Sequence, residues 1–143
     1  MSDPRVPEIL SRRPWHVRPE RFVLVGLPPG ARAPAAEAFA RVRSPFAQLI
    51  VEPDMITLAL PEDEWAALGQ AFGQAQAEAP FRAISFEANL PADLVGFLAA
   101  VGRALAEAHV PILAVCGYAK DHLLVRERHL PAALDALERL AGG

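Results

Sequence analysis

The stretch VCGYAKDH (115–122) gathers the chain's one cysteine, Cys116, a cation, Lys120, an acid, Asp121, and a base, His122, around Gly117 and Tyr118. Two chemistries are open to such a set. A cysteine beside an imidazole or a positive charge can become a thiolate nucleophile. A carboxylate beside an ammonium can instead hold the two ends of a zwitterion, with Asp121 accepting from a ligand ammonium and Lys120 meeting a carboxylate. The same two residues also suit a solvated turn. Nucleophilic chemistry requires His109 or His122 close to the sulfur, yet Cys116 falls inside the alternating run ILAVCGY, where a small, buried thiol is ordinary. His109 stands at a helix C-terminus, a position that favours positive charge, and His122 and His129 read as surface residues with no acid and nucleophile arranged around them. The expectation is a binding protein rather than an enzyme.

Composition narrows the partners. The chain has 143 residues, 52% hydrophobic and 22% charged, with a net charge of −3, enough apolar residues for a packed domain but no basic surface on the scale that nucleic acid requires. One cysteine cannot form an internal disulfide, and the scattered His16, His109, His122 and His129 lack zinc spacing, so neither metal nor cofactor is expected. The polar start and the absence of about 18 consecutive apolar residues argue against a signal segment or a membrane span. A cytoplasmic protein without membrane partners is the default.

The elements that must position these residues follow from periodicity. Residues 1–14, rich in proline and mixed charge, read as a flexible arm. RFVLVGL is a strand, 34–43 a short helix, PFAQLIVE and MITLAL a hairpin about Pro53 and Asp54, and PEDEWAALGQAF a helix with acidic residues in its first turn. The order then recurs: RAISFEANL is a strand, 91–108 a helix, 111–117 and 122–126 a hairpin, and 129–141 a helix. SPFAQLIVEPDMITLALPEDEWAAL (44–68) and VPILAVCGYAKDHLLVRERHLPAAL (110–134) align without a gap, which points to an internal duplication. Each copy is a βαββα unit, expected to make an antiparallel sheet with helices on one face, an α+β fold. PWHVR is the candidate for a fourth strand in the first copy. The predicted modules are 15–74 and 80–141, joined near 74–80, and open sheet edges make a homodimer plausible.

Helix 91–108 carries its apolar stripe on Leu94, Phe97, Leu98, Val101 and Leu105. Gly96 and Gly102 interrupt it at about 1 kcal/mol each. Either they let neighbouring backbone approach closely, or Gly96 leaves room for a ligand where free N–H groups attract carboxylates. Glu87 belongs to a polar sheet face, paired with Arg82 or Arg126, and Trp65, spaced helically with Leu68 and Phe72, reads as core.

The run FEANLPADLVGFLAAVGRALAEAHVPILAVCGYAKDHLLV resembles a bacterial family with two ACT modules in one short chain, similar to the sensing modules of an animal arginine sensor. The resemblance rests on Glu87, Leu90, Leu94, Gly96, Leu98, Ala99, Asp121, Leu123, Leu124 and Val125. With the opening RFVLVGLPP it covers roughly 15–140. It implies two ferredoxin-like modules in tandem and a regulatory protein that binds a small molecule, commonly an amino acid, at a module or subunit interface. Transferred by position, the ligand-binding candidates are Asn89, Leu94, Val95, Gly96, Cys116, Gly117 and Asp121. Val95, Cys116, Gly117, Ala119 and Lys120 depart from the family's polar residues, which motivates the alternative of a structural or protein-interaction module without a ligand.

Overall fold

A computed structural model describes residues 3–143, which divide into two compact units: Glu20–Phe81, and the residues up to Pro19 together with Arg82–Gly143. The fold is α+β, built on antiparallel strand pairs with helices packed on one face of the strands.

In the unit 20–81, β2 (Phe22–Leu27), α2 (Arg32–Ala40), β3 (Gln48–Val51), β4 (Ile56–Pro61) and α3 (Glu62–Leu68) are followed by the start of the long β5 (Gln76–Phe86), in the strand order β3-β4-β2-β5. The alternation that marks these strands sets their faces. Val23, Val25 and Leu27 of β2 and Ile56, Leu58 and Leu60 of β4 are all buried in one cluster with Ala35 of α2, and Trp65 and Leu68 of α3 pack against it. The opposite face holds Phe22, which meets Phe46 edge-on with ring centroids 5.7 Å apart. The turn at Pro53 and Asp54 is closed by Glu52 N–H donating to the Met55 carbonyl. As the spacing suggested, Trp65 stacks on Phe72 and is partly buried.

The other unit begins with α1 (Arg5–Ser11) and β1 (Trp15–Val17) and resumes with the end of β5, then α4 (Phe97–Glu107), β6 (Leu113–Cys116), β7 (Asp121–Arg126) and α5 (Leu130–Gly142). Its strand order is β6-β7-β5, with β1 also paired to β5. Ile84 and Phe86 of β5 and Leu123 and Val125 of β7 form one apolar face. Phe97, Val101 and Leu105, at i, i+4 and i+8 of α4, cover it with Ala133, Ala136 and Leu137 of α5. Phe86 and Phe97 meet edge-on at 5.2 Å. α4 ends in a Schellman closure, with His109 at φ 58, its N–H on the Ala106 carbonyl and the Val110 N–H on the Leu105 carbonyl. Val110 and Leu105 are both buried, so the cap also seals the core.

Four expectations are corrected. The arm expected over 1–14 is a helix over Arg5–Ser11, with Val6 and Leu10 only 2% and 3% exposed in the core; Met1 and Ser2 lie outside the described residues. The strand expected to complete the first copy, β1, instead pairs Trp15 with Phe86, His16 with Ser85 and Val17 with Ile84. The expected junction near 74–80 is the start of β5, whose Gln76, Ala77, Glu78 and Phe81 pair with β2. The helix expected from 91 starts at Phe97.

The order strand, helix, strand, strand, helix therefore occurs over 22–68 and again over 76–142. Among the described residues no helix is long and apolar enough to cross a membrane.

Candidate functional site

Between β5 and α4 the chain turns at Pro91, whose carbonyl accepts from Leu94 N–H, and enters the helix through Gly96. Gly96 has φ 96, a left-handed conformation that a Cβ would strain. It is the N-cap rather than an interior residue, and it supplies no side chain to the first-turn N–H groups of α4. Those groups have no partner within their own helix and carry the positive end of its dipole. Gly102, by contrast, lies inside the helix, and a Cβ there would meet nothing within 4 Å, so close backbone approach does not explain it.

The β6–β7 hairpin faces this helix start. Its turn is closed by Gly117 N–H donating to the Lys120 carbonyl at 2.8 Å, and a Cβ on Gly117 would come within 3.1 Å of that same oxygen. Leu90 N–H donates to the Ala119 carbonyl, and Lys120 Nζ lies 3.3 Å from Glu87 Oε2. The turn is thus fastened to the segment after β5 by one backbone bond and one ion pair, and Glu87 is matched by Lys120 rather than by either arginine considered for it.

A cavity of about 310 Å³ lies between the two elements. Leu90, Leu94, Phe97 and Leu98 give it apolar walls, Gly96 stands at its helical end, and Gly117, Tyr118, Ala119 and Asp121 line the hairpin side. Asp121 is the only carboxylate in the lining. A site of this kind offers partial positive charge from a helix terminus, negative charge from a carboxylate and an apolar space for a side chain. It is complementary to a small zwitterion.

Four of the residues singled out from sequence, Leu94, Gly96, Gly117 and Asp121, line this cavity, whereas Asn89, Val95 and Cys116 do not. Val95 is 62% exposed, and its carbonyl accepts from Asp3 N–H. Leu90, Phe97, Leu98, Tyr118 and Ala119 also line it but were absent from the candidates. The helical spacing of 94, 97 and 98 was the available signal for two of them.

Cys116 is exposed rather than buried, because it lies on β6 beside a single neighbouring strand. It pairs with Asp121 across the hairpin. Desolvation, followed by the Asp121 carboxylate, pushes its thiol pKa up, the reverse of what an activated nucleophile needs. His122 pairs with Val115, so strand alternation puts it on the opposite face from Cys116 and Asp121.

There it is half-buried rather than on the surface, with Nδ1 2.7 Å from the Oγ of the buried Ser85. Arg18 Nε donates to the same oxygen at 2.9 Å, which leaves the serine hydroxyl hydrogen for a neutral His122 ring to accept. Burial, reinforced by the Arg18 charge, lowers the His122 pKa. Among the described residues no group of three or more His, Cys, Asp or Glu could hold a metal ion.

No curated protein matches the chain by sequence. Solved structures share its fold. A protein from Agobacterium tumefaciens superposes with a TM-score of 0.69 at 19% identity, covering 85% of this chain and 84% of that one. A Vibrio cholerae protein of unknown function, described as a possible transport protein, gives 0.71 at 23% identity over 96% and 97%. The regulatory subunit of aspartate kinase from Thermus flavus gives 0.65 at 14% identity over 88% and 95%. Residues 76–139 resemble the ACT domain family, and the residues that line the cavity all fall within that stretch.

Proposed function

We propose that this chain is a regulatory rather than a catalytic protein, and that it senses an amino acid or similar small zwitterion in the cavity between the start of α4 and the 117–121 hairpin. One observation carries the reading: within a matched ACT domain, a helix N-terminus and the Asp121 carboxylate border one largely apolar cavity. The ligand carboxylate would rest on the α4 N–H groups, its ammonium on Asp121, and its side chain among Leu90, Leu94, Phe97 and Leu98. The regulatory subunits of aspartate kinase, which share the fold, favour a regulatory role.

In the same reading the two βαββα runs are duplicated ACT-like modules, and the chain pairs as a homodimer whose second copy closes the open side of the cavity, where Tyr118 stands fully exposed. Thermal shift and calorimetry against the twenty amino acids test the sensor. At least one should raise the unfolding midpoint, and Asp121→Asn should weaken it by on the order of tenfold or more. If no amino acid raises the midpoint, the sensor reading falls and the module without a ligand takes its place.

A further inference from the structure

The connection from β5 to α4, residues 87–96, supplies one wall of the cavity at α4 through Leu90, Pro91, Ala92, Leu94 and Gly96. It contains neither helix nor strand, so no regular backbone ladder of its own holds its shape. The hairpin fastens it on one side, through Leu90 and Glu87. The N-terminal segment fastens it at both ends: Glu87 N–H donates to the Pro14 carbonyl at 2.6 Å, and Asp3 N–H donates to the Val95 carbonyl at 3.0 Å.

These two ties differ in their backing. The Pro14 tie adjoins β1, which pairs Trp15 with Phe86, and α1 in front of it is anchored by Val6 and Leu10 in the core and by Arg13 Nε, 2.7 Å from Glu138 Oε2. The Asp3 tie rests on a clasp of charged groups. The Arg5 guanidinium donates to both oxygens of the Asp3 carboxylate, at 3.0 Å from Nε and 2.6 Å from Nη2, and lies 3.6 Å from Asp93 Oδ1 in the connection itself. Arg5 and Asp93 are both exposed, and exposed ionic contacts are individually weak. The clasp can therefore open while the rest of α1 stays in the core.

Peptide geometry says what the clasp controls. A trans peptide is planar, so a Val95 carbonyl held toward Asp3 turns the Gly96 N–H the opposite way, away from the N-terminal segment. Leu94 and Gly96, the neighbours of Val95 on either side, both line the cavity. Phe97, the next residue, lines it as well and shares a buried cluster with Val6 and Leu10.

We propose that Asp3 and Arg5 are positioning residues of the amino acid site. Closed on Val95 and Asp93, the clasp holds the connection in the shape the ligand needs; open, it lets that wall loosen. This rests on the amino acid reading of the cavity for its ligand, whereas the hold of the clasp on the connection rests on the contacts alone. Occupation of the cavity and closure of the clasp stabilise each other by the same factor, so the start of α1 responds to the ligand.

Hydrogen exchange and calorimetry on the full chain test it. In Asp3→Ala and Arg5→Ala the Leu90 and Leu94 amides should exchange at least about threefold faster, the span at which one net hydrogen bond registers, with Val101 unchanged and the urea midpoint moved no more than by Glu8→Ala. Affinity for each of the twenty amino acids that binds the wild type should fall by about threefold to tenfold, as expected for a hydrogen bond and an exposed ion pair. Asp3→Pro, which deletes the N–H itself, should go at least as far, and Arg5→Lys, which keeps the charge, should recover part of the loss. Glu8→Ala, on the same helix but outside the clasp, should change neither readout. Unchanged exchange at Leu90 and Leu94 overturns the clasp, and faster exchange with undiminished affinity overturns its role at the site. If no amino acid binds the wild type, the sensor reading fails by itself, and the exchange rates alone decide whether the clasp orders the connection.

Discussion

Leu10→Ala tests whether the N-terminal helix belongs to the core. Leu10 is 3% exposed and sits in the same buried cluster as Leu137 and Ala133 of α5 and Val125 of β7. Truncating a leucine of that kind removes its transfer free energy and leaves a cavity, about 2–5 kcal/mol in all. For a chain of this size each kcal/mol moves the midpoint by about 2–4 °C, so a loss of about 3 kcal/mol corresponds to about 6–12 °C. Glu8→Ala is the control on the same helix. Glu8 is exposed and pairs with the exposed Arg12, an interaction worth well under about 1 kcal/mol. Thermal and urea unfolding of the two variants should therefore separate widely. If Leu10→Ala shifts the midpoint no more than Glu8→Ala, then α1 is not packed as described and the core must be redrawn without it.

Gly96→Ala should destabilise by about 1–2 kcal/mol, since the left-handed backbone at φ 96 is cheap only for glycine, whereas Gly102→Ala, with open space around it, should stabilise by about 0.5–1 kcal/mol; urea midpoints of opposite sign check the pair. Because the His122 pKa is lower in the folded state, the unfolded chain takes up that proton first, so the contribution of His122 is complete above about pH 6.5 and is lost as pH falls below it. His122→Gln should flatten that part of the stability profile between about pH 7.5 and 5.5, and a wild type that gains stability relative to the variant on acidification would contradict the neutral ring. The Cys116 thiol should alkylate more slowly at about pH 8 than a free cysteine despite its exposure, and Asp121→Asn should speed it, as followed by iodoacetamide labelling.

Most strands were legible because alternation reports a face directly: Val23, Val25 and Leu27 are buried together as their spacing requires. Other features were obscured by competing signals. Pro91 and Asp93 imitate a helix start, but the chain first has to pass through the left-handed turn at Gly96. Prolines and charges disguised the i, i+4 pair of Val6 and Leu10, whose buried cluster is completed only by residues from Ile84 to Leu137. The first half of β5 reads QAEAP, with no apolar alternation, and is held by backbone pairing to β2 instead. The cavity at α4 was partly legible, since Gly96 and Asp121 carry recognisable chemistry, whereas Phe97 and Leu98 look like any residues of a helical stripe. His122 was misjudged because its depth depends on Ser85 and Arg18, two residues from distant segments that no local pattern connects to it.

The unit that holds most of residues 76–139 is stitched from two separated stretches, one before Glu20 and one after Phe81, and synthesis must follow that order. Its first helix and strand are made well before the residues they pack with, in β5, β7 and α5. The segment 20–81 can complete its own apolar cluster while these early residues wait. Assembly is therefore ordered by the chain itself, with the inserted segment free to form first, so removal of either α1 or α5 should strike the same core.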